Sequence, residues 1–132
     1  MDHFLYRDGV LHAEDVPVAE IAAAVGTPFY VYSSATLLRH FGLFEEALDG
    51  LKHTICFAMK SLSNQAILRL LAQRGAGMDV VSEGEYRRAK AAGVPGERIV
   101  FPAWVKPARK CALRWKAASV SSMWRASRNC AR

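Results

Sequence analysis

Two side chains have the type and setting for chemistry, Lys60 and Asp79. Lys60 closes the segment Cys56-Phe57-Ala58-Met59-Lys60-Ser61, a nearly continuous apolar run of the kind that forms a buried parallel strand. In parallel α/β folds the working residues sit at the carboxyl ends of strands. An amine held near apolar walls has its charged form disfavoured, which frees it to attack a carbonyl. The alternative is a lysine that reaches out of a strand end into water, and spacing alone favours that alternative. Asp79 lies in the next short apolar stretch, Met78-Asp79-Val80-Val81. Neighbouring strands run about 4.8 Å apart, so a carboxylate there can approach Lys60. An aspartate making local turn hydrogen bonds is the competing account, and spacing does not displace it.

Other candidates are weaker. Ser82-Glu83-Gly84-Glu85 opens a helix, where acids complement the positive end of the helix dipole, and that is reason enough for them. A helix start facing a ligand mouth is the lesser alternative. His3, His12, His40 and His53 show no metal-ligand spacing. Gly75-Ala76-Gly77 lacks the spacing of a phosphate loop and reads as a helix stop. Cys56, Cys111 and Cys130 make neither a disulfide framework nor a zinc pattern, and Cys56 is expected to be a reduced core thiol.

The elements that must position Lys60 and Asp79 follow from local patterns. Asp8-Gly9 between Phe4-Leu5-Tyr6-Arg7 and Val10-Leu11-His12-Ala13 predicts a tight hairpin. Pro17 opens a short helix that Gly26 can end in a left-handed cap. Phe29-Tyr30-Val31-Tyr32 is aromatic and β-branched and predicts a strand. Ser33 or Ser34 caps a helix over 35–48, with Leu37, Leu38, Phe41, Phe44, Ala47, Leu48 and Leu51 on one face. A strand at 54–59, a helix to Arg74 capped by Ser63 or Asn64, a strand at 78–81, a helix over 83–92 and a strand from Arg98 continue the cycle. The third helix places Ile67, Leu68, Leu70 and Leu71 inward. Strand and helix alternating through short loops predicts an α/β fold with a parallel sheet, its helices on the outside of a barrel or on the sheet faces.

Composition divides the chain. The 132 residues are 52% apolar, enough for a core. All twelve acidic residues lie before position 101, alongside ten Lys and Arg, for a net charge of −2. Positions 101–132 hold eight Lys and Arg and no acid. All three tryptophans, Trp104, Trp115 and Trp124, fall there as well. No apolar run reaches the length of a membrane helix. The opening Met1-Asp2-His3 lacks a basic stretch followed by an apolar one, so no secretory signal is expected and the expected compartment is the cytoplasm.

Four segments in order carry a family resemblance: the hairpin Phe4 to Ala13, Gly26-Thr27-Pro28-Phe29-Tyr30-Val31-Tyr32, Phe57-Ala58-Met59-Lys60-Ser61, and Met78-Asp79-Val80-Val81-Ser82-Glu83-Gly84-Glu85. Together they resemble the N-terminal part of bacterial diaminopimelate decarboxylases, over about the first hundred residues. The wider family includes ornithine and arginine decarboxylases, and a fragment of one of these is the alternative within the enzyme class. The resemblance implies a pyridoxal 5'-phosphate-binding TIM (β/α)8 barrel, incomplete here, preceded by a β-hairpin that belongs to the family's β domain. The implied partition is 1–26 for the hairpin and short helix, 27–101 for the partial barrel and 102–132 for a basic tail. Lys60 matches the lysine that forms the Schiff base, and Asp79 matches an acid beside it. The implied reaction is decarboxylation of meso-diaminopimelate to lysine, by a homodimer acting on a small amino acid with no membrane involved. A (β/α)8 barrel takes about 250 residues. The family's phosphate-binding glycine loop, the acid on the ring nitrogen, the histidine over the ring and the β-domain cysteine and tyrosine are absent. The chain as written is therefore expected to be inactive and not to form a proper dimer.

The tail has two readings. A family member would continue after Phe101 as Ser-Gly-Val-Gly-Lys-Thr, whereas this chain gives Pro102-Ala103-Trp104-Val105-Lys106-Pro107. Codons can be chosen for 102–132 so that one restored base after Phe101 recovers the family-like text: CCG-GCG-TGG-GTA-AAA-CCC preceded by T becomes TCC-GGC-GTG-GGT-AAA-ACC. Codon freedom does not easily manufacture a long run of sensible residues, so the tail is expected to be out-of-frame translation. The alternative is a nucleic-acid-binding element, with cations for phosphates and tryptophans for stacking. It has no amphipathic period and no known motif behind it.

Overall fold

The computed structural model describes residues 3–101. These fall into two compact units that part between Asp49 and Gly50.

The first unit begins with an antiparallel sheet, β1 (Phe4–Arg7), β2 (Val10–Ala13) and β3 (Val16–Pro17), in that order. Arg7 faces Val10 across a two-residue turn in which Asp8 and Gly9 both take positive φ, 49° and 78°. That pair is the mirror-image turn that matches strand twist, as the Asp-Gly sequence predicts. The third strand was not foreseen. Helix α1 (Val18–Val25) follows with Pro17 as its N-cap. Gly26 stops it as expected at a positive φ, 79°, but its ψ of 176° departs from the αL cap geometry. Helix α2 (Ser34–Ala47) is capped by Ser33, whose Oγ accepts the Thr36 N–H at 3.0 Å.

Two expectations for this unit need correcting. Phe29-Tyr30-Val31-Tyr32 forms no strand. A strand exists only with a partner, the segment has no ladder partner among the described residues, and Tyr30 is 91% exposed. On α2, Phe41 alone is buried, while Phe44 and the following Leu51 stay exposed. The apolar face that the spacing defines is therefore largely uncovered within the described residues.

The second unit is the βα cycle. β4 (Cys56–Ala58), β5 (Gly77–Asp79) and β6 (Ile99–Val100) form a parallel sheet in that order. Between them run α3 (Gln65–Gln73), α4 (Glu83–Ala91) and one turn of 3-10 helix, Gly96–Arg98. Asn64, of the two candidates, caps α3: its side chain accepts the Ala66 and Ile67 N–H groups. Gly75, at φ 87°, ends that helix. The ladder pairs Ala58 with Asp79 and Asp79 with Val100. Residues of this row are half-exposed, whereas Met59, Val80 and Phe101, one position on, are buried. This period of two divides the sheet into a sealed face and an open face. The sealed face belongs to the same core as Ile67, Leu68 and Leu71 of α3 and Ala89 of α4. Leu70, expected inward, is only half-buried.

Candidate functional site

The open face of the parallel sheet and the carboxyl ends of its strands hold both chemically capable residues. Asp79 is the last residue of β5 and shares its row with Ala58 and Val100. Lys60 stands two residues past the end of β4. The chain turns sharply there: the Ser61 N–H and the Ser61 hydroxyl both donate to the Ala58 carbonyl, at 3.1 and 2.7 Å. Met59 N–H donates to the Asp79 carbonyl at 3.0 Å, so the residue before Lys60 is tied to the backbone of Asp79. Lys60 and Asp79 thus lie at one end of the sheet on adjacent strands. Their side chains form no ion pair with each other. Lys60 is exposed and has no hydrogen bond among the described residues.

Asp79 carries the more telling feature. Its Oδ1 is sealed from solvent and has no hydrogen-bond partner among the described residues. Leaving a buried acceptor unmade costs about 1–3 kcal/mol, so such an atom is tolerated where a donor is to arrive. The negative charge also reaches Cys56, two residues back along the neighbouring strand. Burial first, and the Asp79 carboxylate second, push the Cys56 thiol up. Cys56 is a free, half-buried thiol, in line with an inert role.

Two further residues shape the surroundings of the site, one at each end of β5. Gly77 starts β5, and a Cβ there would lie 2.6 Å from the Arg98 carbonyl oxygen and 2.7 Å from Cys56 Sγ. Sequence reasoning grouped Gly77 with a helix stop. The available signal was a glycine at a strand position, which marks close backbone approach. Glu85 accepts the Val81 N–H at 2.7 Å through Oε2, while its own N–H donates to Ser82 Oγ at 3.2 Å. These two bonds, a capping box displaced by one residue to Val81, fix the turn that follows Asp79. Glu83 pairs with Arg87 on the helix surface. Both acids therefore serve helix α4, as the dipole argument expects. The residues sequence analysis assigned to the tail lie outside the described residues.

A lysine, and an aspartate with one buried oxygen unpartnered among the described residues, thus lie at the ends of adjacent parallel strands. The family model for the pyridoxal-binding domain of pyridoxal-dependent decarboxylases matches residues 34–120, and the chain belongs to this family. The match continues past Phe101, whereas alignments with curated relatives take in about a hundred residues.

Among those relatives are diaminopimelate decarboxylases. That of Haemophilus influenzae is 48% identical over 101 residues, covering 76% of this chain and 24% of the relative. That of Zymomonas mobilis is 50% identical over 101 residues, covering 74% and 24%. The chain thus spans about a quarter of the length of these relatives. A solved diaminopimelate decarboxylase from M. jannaschii, in complex with L-lysine, superposes with a TM-score of 0.79 at 31% identity, covering 89% of this chain and 28% of the other. AQ1208 from Aquifex aeolicus gives 0.71 at 43% identity, covering 75% and 24%. A lysine/ornithine decarboxylase from Vibrio vulnificus, at 21% identity and a TM-score of 0.66, shares the fold. The fold class is therefore the α/β arrangement of pyridoxal-phosphate barrel decarboxylases, and pyridoxal phosphate is the family cofactor. The residues fit that group: among the described residues Lys60 offers an unpaired amine, and Asp79 Oδ1 is an acceptor without a donor. No helix among the described residues is long and apolar enough to cross a membrane.

Proposed function

We propose that this chain is the opening part of a pyridoxal-phosphate-dependent carboxy-lyase that converts meso-2,6-diaminopimelate to L-lysine. The observation that carries this reading is the placement of Lys60 and the orphaned Asp79 oxygen at one end of the parallel sheet. Identity near half with diaminopimelate decarboxylases supports the substrate, as does the lysine-bound relative. Lys60 Nζ is the amine that anchors the cofactor. Its exposure leaves it reachable by an aldehyde, and its turn, closed by Ser61, holds it at the strand end. Asp79 would place the acceptor Oδ1 beside that amine. Pyridoxal phosphate, when bound, supplies the sink for the electron pair left as CO₂ departs. A cytoplasmic homodimer is the setting this reading assigns to the complete enzyme. The row of Ala58, Asp79 and Val100 would face its interior.

The segment 102–132 is part of the same reading: it is out-of-frame text following a family sequence. Partition at 26 and 101 goes with it, the hairpin belonging to a β domain and the βα cycle to the barrel.

The test is selective trapping. Pyridoxal phosphate is added to the chain, the adduct is fixed with borohydride and the modified lysine is located by mass spectrometry. Lys60 should take most of the label, with Lys52 and Lys90 far behind. Lys60→Ala should reduce total labelling to the sum over the remaining five lysines. Labelling of Lys60 no greater than that of Lys52, Lys90, Lys106, Lys110 and Lys116 would overturn the assignment of Lys60.

A further inference from the structure

His3 and Glu14 both hold positive φ, 53° and 56°. Neither is glycine, and such backbone persists only where its surroundings over-determine it. The two are joined to each other, since Glu14 N–H donates to the His3 carbonyl at 2.8 Å. From that joint both side chains reach one helical turn. Glu14 Oε1 accepts from Ser33 Oγ at 2.8 Å, Ser34 Oγ at 3.1 Å and Ala35 N–H at 2.9 Å. His3 Nδ1 meets Thr36 Oγ1 at 2.9 Å. The first turn of α2 therefore has two caps. Its own Ser33 serves the Thr36 N–H, and a glutamate from a distant hairpin serves the Ala35 N–H. The carboxylate also sits at the positive end of a 14-residue helix whose first turn has no acid of its own. Ser33, one of the two caps and a donor to the other, is only 5% exposed.

We propose that Glu14, supported by His3, is a carboxylate clasp that locks the β1–β3 sheet onto the first turn of α2 and opens when Glu14 takes up a proton. The family match begins at residue 34, the first residue of α2. The clasp thus fastens the segment ahead of the pyridoxal-binding domain to that domain's opening turn, and Glu14 acts as a positioning residue. The charged groups around it are already engaged. Arg7 Nη2 donates to the Glu14 carbonyl at 3.2 Å and pairs with Asp15 at 2.9 Å, and His3 is held by Thr36. The Ala35 N–H, and next the Ser33 hydroxyl, hold the Glu14 carboxyl below the usual range. Its contribution is then fully present above the ordinary glutamate range and is lost as pH falls through the lowered value.

Hydrogen exchange on the full chain, resolved to single amides and corrected for the intrinsic rate at each pH, tests this. Glu14→Ala should raise Ala35 exchange roughly fivefold at neutral pH, the effect of losing one helix cap. Wild type should show a similar rise on acidification, confined to the first turn of α2, with the Ile67 amide of α3 unmoved. Glu14→Gln keeps an acceptor oxygen, so it should hold most of the neutral protection and show no acid step. An Ala35 amide indifferent to Glu14→Ala would overturn the clasp. So would an acid step of wild-type size in Glu14→Gln, or one that moves Ile67 equally. The wild-type titration and the Gln variant decide the matter if the Ala variant does not fold.

Discussion

Gly77 shows how closely the strands are drawn together at the end of the sheet opposite Lys60. Its Cα leaves no room for a methyl group, because the Arg98 carbonyl and Cys56 Sγ would both lie well inside van der Waals contact. One of these neighbours is backbone and cannot swing aside. Gly77→Ala should therefore destabilise the second unit by about 1–3 kcal/mol, the usual cost of overpacking, seen as a lower urea midpoint. Adding Cys56→Ala should restore only part of the loss, since the carbonyl remains. A neutral Gly77→Ala would show that the strands separate more easily than this geometry allows. At this scale the sequence was legible where chemistry and local pattern coincide. Lys60 and Asp79 stood out because a charged residue ends or interrupts an apolar run. Gly77 did not, because its constraint comes from Arg98, far along the chain. Glu14 was invisible for the same reason: the turn it caps begins nineteen residues later, and no local pattern pairs them.

Elements were legible to the extent that their causes are local. Helix α3 is the clearest case, since its start is decided by one side chain. Ser63 and Asn64 are both capping types, and the structure gives the role to Asn64, which accepts Ala66 N–H at 2.9 Å and Ile67 N–H at 3.4 Å. Asn64→Ala should cost about 1 kcal/mol, whereas Ser63→Ala should lie within about 0.5 kcal/mol of wild type. Urea unfolding of the two variants separates them, and equal effects would refute the assignment of the cap. The cap matters to the site because α3 begins four residues after the Lys60 turn closes. Strands fared less evenly. The runs at 56–58 and 77–79 pair in parallel as their apolar character suggests. Phe29-Tyr30-Val31-Tyr32 has equal β propensity and no ladder. Propensity describes a fit to a pleated surface and cannot supply the neighbouring strand.

At the scale of the whole molecule, the charge distribution is the fact that organises the rest. A net −2 before position 101 gives way to +8 after it, and no acid appears beyond Glu97. A single folded domain has no reason to change composition at one residue. A one-base slip would, and restoring one base turns Pro102 to Pro107 into the family-like Ser-Gly-Val-Gly-Lys-Thr. The family match that runs on to residue 120 is the finding this account has to accommodate, and DNA decides between them. Resequencing across the Phe101 codon, or restoring one base there, should open a much longer frame containing the glycine-rich phosphate loop and a β domain. Its product should release CO₂ from meso-diaminopimelate, and Lys60→Ala should abolish that release. The basic-tail alternative makes the opposite prediction: a stop codon soon after the restored base, and single-strand binding by the original chain that weakens steeply with salt and with alanine at Trp104, Trp115 or Trp124. The restored frame decides between them, because a segment of this charge can hold single strands whatever its origin. The expected result is the long frame, with Lys60 the essential lysine of its product.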